Sequence, residues 1–220
     1  MASASSNITI STYDTVAGRY LELWRDRSAV REHMDRFAAM LTAYGLDRQP
    51  MLDVGCGPGF DTVIFRDLGL RVIGVDLSPS MLSVSRQDYP RSYLLADRRF
   101  LPVAPCIGGL WVSASLLHLN RSDIPTTLEH FARALLPGGL LYLSLKIGKG
   151  AGWDYQPYKR PRHFTYWCSE GLDPLLEDTG QQIIDAWEGD GEIDRWLVRF
   201  ARKKVHSAGI SLPCSGSQDY

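Results

Sequence analysis

Apolar side chains recur at helical spacing through residues 14 to 46. Val16, Tyr20, Leu23 and Trp24 form one stripe, and Met34, Phe37, Met40, Leu41 and Tyr44 form a second. Asp26 or Ser28 can open the second helix, and Gly45 can stop it. From residue 50 the pattern changes to short apolar runs separated by helix-like stretches. Pro50 to Val54, Arg71 to Leu77, Ser92 to Ala96, Gly109 to Leu116, Leu140 to Leu145, Gln182 to Trp187 and Trp196 to Ala201 read as seven strands. Helices fit Asp61 to Leu68, Ser78 to about Tyr89, Ser122 or Asp123 to Leu136, and Ser169 to Asp178. Pro79 suits a first helical position, where a missing N–H costs little.

Strands alternating with helices imply a parallel sheet with helices on both faces. The last two strands are joined by Glu188 to Arg195, too short for a crossover helix, so they should pair as an antiparallel hairpin at one edge. The expected fold is α/β: a Rossmann-like, seven-stranded, mostly parallel sheet with one antiparallel edge strand, three α/β/α layers and an N-terminal helical lid over 14–46. Residues 13–204 would form a single domain. Residues 1–12 read as a flexible N-terminus, and the Ser- and Gly-rich 205–220 as a disordered tail.

Bulk composition narrows the partners. A length of 220 residues suits one well-buried domain. A net charge of -1 gives no global basic field for nucleic acid or anionic membrane. No stretch approaches the roughly 20 apolar residues of a membrane span, and the N-terminus lacks the charged and apolar regions of a signal peptide. Cys56, Cys106, Cys168 and Cys214 form no CxxC pair, which fits reduced thiols in a cytoplasm rather than a disulfide framework.

The chemistry concentrates where strands end. The first strand runs into Gly55-Cys56-Gly57-Pro58-Gly59. Glycines allow a tight turn and let the backbone approach a ligand. N–H groups at the next helix start favour a negative group such as a carboxylate. A dinucleotide loop would read GxGxxG, but Phe60 stands at the third glycine position. Asp53 before the loop suits a cationic ligand and would be unwelcome beside a pyrophosphate. Asp76 ends the second strand, 19 residues past Gly57, where an acid can accept both ribose hydroxyls. Asp97 ends the third, placed to accept from an adenine amino group.

On MLDVGCGPGFDT, VIGVDLSPSML, LLADRRFLPV, LWVSASLLHL, ARALLPGGLLYLSLK and WLVRFARK, the chain resembles the class I S-adenosylmethionine (SAM) dependent methyltransferases over about residues 13 to 204. The resemblance implies SAM as cofactor and S-adenosylhomocysteine as product. Gly55, Cys56, Gly57 and Gly59 would hold its methionine part with Asp53 and Ser113, Asp76 its ribose, and Asp97 its adenine amine. Leu77, Met81, Arg98 and Phe100 would flank the adenine, and Tyr13 and Tyr20 would face the cofactor from the lid. One departure stands at Ile107 to Trp111, where the family usually carries an acid that metal-using O-methyltransferases employ. No metal is expected.

Methyl transfer needs alignment and water exclusion, and a base only where the acceptor carries a proton. His118, just past the fourth strand, is the leading base candidate; the alternative is a histidine that caps the strand end and packs under the lid. The stretch Trp153 to Trp167 carries three tyrosines, two tryptophans, Arg160, Arg162 and His163. A long loop there suits a binding lid. Tyr155, Tyr158, Arg160 and His163 are the substrate candidates, with His163 a second catalytic candidate. Phe164, Tyr166 and Trp167 alternate like an extra strand completing the core. The expected function is transfer of the SAM methyl to an O, N or C atom of a small molecule, in bacterial secondary metabolism, by a cytoplasmic monomer or homodimer. The absence of an (N/D/S)PP(Y/F) motif argues against nucleic-acid bases. Two alternatives stay open: an RNA-modifying methyltransferase using Lys146, Lys149, Lys159, Arg160 and Arg162, or a SAM-binding protein of this fold that transfers no methyl and acts as a binding module or cyclase.

Overall fold

The structure, a computed structural model, describes residues 4–88, 92–191 and 193–205. Tyr89, Cys214 and all of the expected tail beyond Val205 lie outside the described residues. Seven strands form the main sheet: β1 (Met51–Val54), β2 (Val72–Asp76), β3 (Tyr93–Leu95), β4 (Ile107–Val112), β5 (Leu135–Lys146), β8 (Gln181–Asp190) and β9 (Arg195–Lys203). Their order is β3-β2-β1-β4-β5-β9-β8. β1 to β5 are parallel, whereas β9 pairs antiparallel with both β5 and β8. The closing hairpin sits at the edge as expected; its antiparallel member is the inner strand, one place in from the edge. The strand order reverses between β1 and β4, so the carboxyl ends of these two strands flank the crevice in which such sheets bind ligands.

Alternation sorts the core onto two faces. Leu52 and Val54 of β1 and Leu141, Leu143 and Leu145 of β5 pack with α5 (Ile124–Ala134) and α6 (Ser169–Asp178). Met51, Leu140 and Tyr142 face the other way, toward α2 (Ser28–Ala43) and α3 (Phe60–Asp67). That second face carries an aromatic block in which Trp111 stacks on Tyr142 at 3.7 Å and 13°. Phe37 and Phe65 pack on the same indole. Trp111 is fully buried, and truncating such a side chain to Ala costs about 3–5 kcal/mol.

The N-terminus corrects the sequence reading. Residues 1–12 were expected to be flexible, yet helix α1 runs Ala4–Trp24. Its buried face is Ser6, Thr9, Thr12, Val16 and Ala17. The spacing is helical, but the first three members are hydroxyls, so no apolar stripe announces them. The loop after β5 is also structured: β6 (Ala151–Asp154) and β7 (Arg162–Thr165) form an antiparallel hairpin. Phe164 and Trp167 are buried in the core, as the alternating pattern suggested. The fourth strand stops at Val112 rather than Leu116, and a 3-10 turn at Leu116–His118 follows. Among the described residues, no helix is long and apolar enough to cross a membrane.

Candidate active site

The glycine loop is held by backbone bonds. The N–H groups of Gly55 and Cys56 both donate to the Val75 carbonyl, at 2.7 and 3.1 Å. Gly55 has φ +78°, and a Cβ there would lie 2.1 Å from Ser115 Oγ, so the position admits only glycine. Asp76 ties the loop to the next turn: its Oδ2 accepts from Gly57 N–H at 2.9 Å, and its Oδ1 accepts from Ser78 N–H at 2.8 Å. Each oxygen keeps a second lone pair for a ligand hydroxyl. Across the loop, Ala114 takes φ +49° as β4 ends, donating its N–H to Ser144 Oγ. This costly left-handed residue turns the chain so that Ser113, Ser115 and His118 follow one another along the cavity wall.

Beneath the loop lies a buried acid pair. Thr62 Oγ1 donates to Asp53 Oδ2 at 2.6 Å. Burial, with the Asp61 charge behind it, holds the Asp53 carboxyl well above the usual range. Asp61 is bound bidentately by Arg27 at 2.6 and 2.9 Å and by the Trp111 indole N–H at 2.8 Å. Burial lowers the Arg27 pKa, but its pairing with Asp61 outweighs that and raises it.

Helix α1 closes over these groups. Its Asp14 caps α4 (Pro79–Asp88), accepting from Ser78 Oγ at 2.6 Å and Ser80 N–H at 3.1 Å. Its other contacts go to the β6–β7 hairpin. Thr12 donates to the Pro161 carbonyl, Thr9 Oγ1 accepts from His163 N–H, and the Trp24 indole N–H donates to Tyr158 Oη at 2.6 Å. Arg162, paired with Asp154, lies over the rings of Tyr13, Tyr158 and Phe164. The cavity beneath α1 measures about 110 Å3 and opens partly to solvent.

His118 sits at the centre of this closure. Its Nδ1 lies 2.8 Å from the His163 carbonyl and its Nε2 lies 2.8 Å from Tyr13 Oη. A carbonyl only accepts, so the proton is on Nδ1, and Nε2 accepts from the Tyr13 hydroxyl. Burial, then the Arg98 charge, holds the His118 pKa well below 6.5, so the ring is neutral at physiological pH. Burial pushes the Tyr13 phenol up, which keeps its proton in place.

Of the expected cofactor residues, Tyr13, Tyr20, Asp53, Gly55, Cys56, Gly57, Asp76, Leu77, Met81, Arg98 and Ser113 line the cavity. Gly59 instead caps α3 at φ +83°, against Tyr93. Asp97 is not in the lining; its carboxylate is engaged bidentately by Arg99. Burial opposes that carboxylate's ionisation, but the Arg99 bonds outweigh it and lower its pKa. Phe100 is exposed and packs on His130. The expected substrate residues Tyr155, Tyr158, Arg160 and His163 are all outside this lining. Tyr155 and Arg160 face solvent, and Tyr158 is a buried lid contact. The His163 imidazole packs on Trp153, and only its backbone reaches the site. The sequence reading missed Thr9, Ile10, Arg27, Asp61 and Ser115 in the lining. The FDT that follows the glycine loop was the available signal for Asp61. Among the described residues, no group of three or more His, Cys, Asp or Glu is placed to hold a metal.

Comparison with known proteins agrees with this geometry. Residues 52–143 match a family model described as a methyltransferase domain. The malonyl-acyl-carrier-protein O-methyltransferase of Pseudescherichia vulneris is 34% identical over 175 residues, 74% of this chain and 64% of that protein. An 18S rRNA (guanine-N(7))-methyltransferase of Schizosaccharomyces pombe is 34% identical over 153 residues, 66% of this chain and 54% of that protein. The chain spans 26% and 38% of the length of the first two curated relatives it matches. In fold it is similar to the magnesium protoporphyrin IX methyltransferase of Synechocystis, solved with bound S-adenosylhomocysteine. That match has a TM-score of 0.73 and 17% identity, over 91% of this chain and all of that one.

Proposed function

Because the chain belongs to the class I SAM-dependent methyltransferases, we propose that it moves the SAM methyl group to an O, N or C atom of a small molecule enclosed beneath α1. The observation that carries this reading is the Tyr13–His118–His163 carbonyl chain, built at the tip of β4 beside the glycine loop. SAM supplies an activated methyl on a sulfonium, so the protein has only to bind, align and exclude water. In this reading Asp76 accepts the ribose hydroxyls, and Leu77 and Met81 flank the adenine. Asp53, held protonated by its burial, would give up that proton to pair with the ammonium, while the N-terminus of α3 faces the carboxylate. Alignment alone can supply about 7–11 kcal/mol of the barrier.

A proton leaving the acceptor passes to the Tyr13 oxygen as the Tyr13 proton passes to His118 Nε2. Such acid–base assistance typically adds about 10²–10⁴-fold. The small volume of the cavity beneath α1 supports a small acceptor over a folded RNA. A cytoplasmic enzyme of bacterial secondary metabolism, monomeric or homodimeric and needing no metal, is the setting this reading implies.

Calorimetry with S-adenosylhomocysteine tests the cofactor half. The wild type should bind, and Asp76→Asn should bind about 10- to 100-fold more weakly, the worth of charged hydrogen bonds. Equal binding by both proteins would remove the ribose assignment. A SAM-binding protein without transferase activity would bind S-adenosylhomocysteine yet form none from SAM with any acceptor.

A further inference from the structure

Among the described residues five arginines are buried or line the cavity, and four have a carboxylate. Arg27 binds Asp61, Arg99 binds Asp97, Arg162 binds Asp154, and Arg199 binds both Asp173 and Glu188. Arg98 is the exception. Its side chain lines the reaction cavity, and its hydrogen bond is to a neutral hydroxyl, Ser115 Oγ, at 3.1 Å. Among the described residues no carboxylate lies within 4 Å of it. The two acids that influence it most are occupied elsewhere: Asp76 by Gly57 and Ser78, Asp97 by Arg99. Burial lowers the Arg98 pKa and the nearby Asp76 and Asp97 charges offset it only in part, so a guanidinium enclosed without a directly paired carboxylate is costly. Arg98 holds that position beside Tyr13 and His118, the groups that face the acceptor in the function proposed above.

Resting on that function, we propose that Arg98 is the receptor for a carboxylate carried by the methyl acceptor. Arg is suited to this because its planar fork matches the two carboxylate oxygens. The cofactor's own carboxylate is the other possible source of that charge. The N–H groups at the start of α3 are a separate receptor for it, whereas Arg27 there is already bound by Asp61, so cofactor affinity has to be measured beside acid affinity. Pairing would also tune the base. The Arg98 charge is the second cause, after burial, of the low His118 pKa. A carboxylate that neutralises it returns basicity to His118 when the acceptor is in place, so the site is armed by the molecule it acts on.

The test uses the full chain loaded with S-adenosylhomocysteine, titrated with matched acids and amides: benzoate and benzamide, cinnamate and cinnamamide, succinate and succinamide. At least one acid should bind tenfold or more tighter than its amide. Arg98→Gln should erase that preference with a smaller loss of S-adenosylhomocysteine affinity, and Arg98→Lys should restore part of it. Three results overturn the proposal: no acid preferred over its amide, a preference that survives Arg98→Gln, or a fall in cofactor affinity matching the loss of acid binding. The last would assign Arg98 to the cofactor instead. Failure of the wild type to bind S-adenosylhomocysteine would refute the methyltransferase reading itself, and is read before any acid is added.

Discussion

The cavity has two walls made in different ways. The wall of β1, the glycine loop and β2 is shaped by backbone: its N–H groups bond to the Val75 carbonyl and to Asp76, and these bonds span 20 residues or fewer. The wall of α1 and the β6–β7 hairpin is built from side chains meeting across 105 to 154 residues. In the proposed function the first wall is a local motif for the cofactor. The second is an assembly of distant pieces that in that reading faces the acceptor. Damage to the first should therefore register as loss of folding or cofactor binding, and damage to the second as loss of turnover.

The largest effect expected falls on the second wall. His118→Asn should lower turnover by about 10²–10⁴-fold with S-adenosylhomocysteine affinity nearly unchanged. Equal losses in both would make His118 a structural cap. The same variant should alter the acid limb of stability. The folded protein holds His118 neutral while the unfolded chain titrates near 6.5, so native stability contributed by this ring is complete above pH 6.5 and is lost as pH falls through the depressed folded value. Denaturant melts of the variant between pH 7 and 5 should lack that component.

Next comes the backbone wall. Gly55→Ala places a Cβ on Ser115 at a positive φ and should destabilise by about 2–4 kcal/mol. Gly57→Ala, at φ +53° with nothing within 4 Å of the added carbon, should cost only about 1–2 kcal/mol. Urea titrations that rank the two variants the other way would break the steric account of the loop.

The smallest effect tests how α1 is fastened. Thr12→Val removes the bond to the Pro161 carbonyl, worth about 1 kcal/mol. Amide hydrogen exchange should quicken in α1 and β7 and stay unchanged in β1. A uniform change across the sheet would mean that α1 is part of the main cooperative unit rather than a separately opening flap.

The same contrast explains what could be read from the residues. The parallel strands, the glycine loop, Asp53 and Asp76 follow from local rules of periodicity, turn chemistry and strand-end position, and they stand where those rules put them. The N-terminal turns of α1 could not be read, because Ser6, Thr9 and Thr12 bury hydroxyls instead of hydrocarbon. The aromatic loop was recognised as a lid element, but its side chains were assigned to substrate without knowledge of the hairpin register. Trp153 and His163 pair across that hairpin and away from the cavity lining. Asp97 and Arg98 are adjacent, and the local sequence does not say which of the two enters the cavity. The Arg99 fork decides it by claiming the Asp97 carboxylate.

The bond from His118 to the carbonyl of residue 163 has an evolutionary consequence. A role carried by a peptide oxygen is indifferent to the side chain at that position. Residue 163 is thus free to drift among homologues while still setting the tautomer of the imidazole, provided the hairpin keeps its shape. Selection would act on the register of β6 and β7, and a comparison of residue identities at this position would miss the constraint.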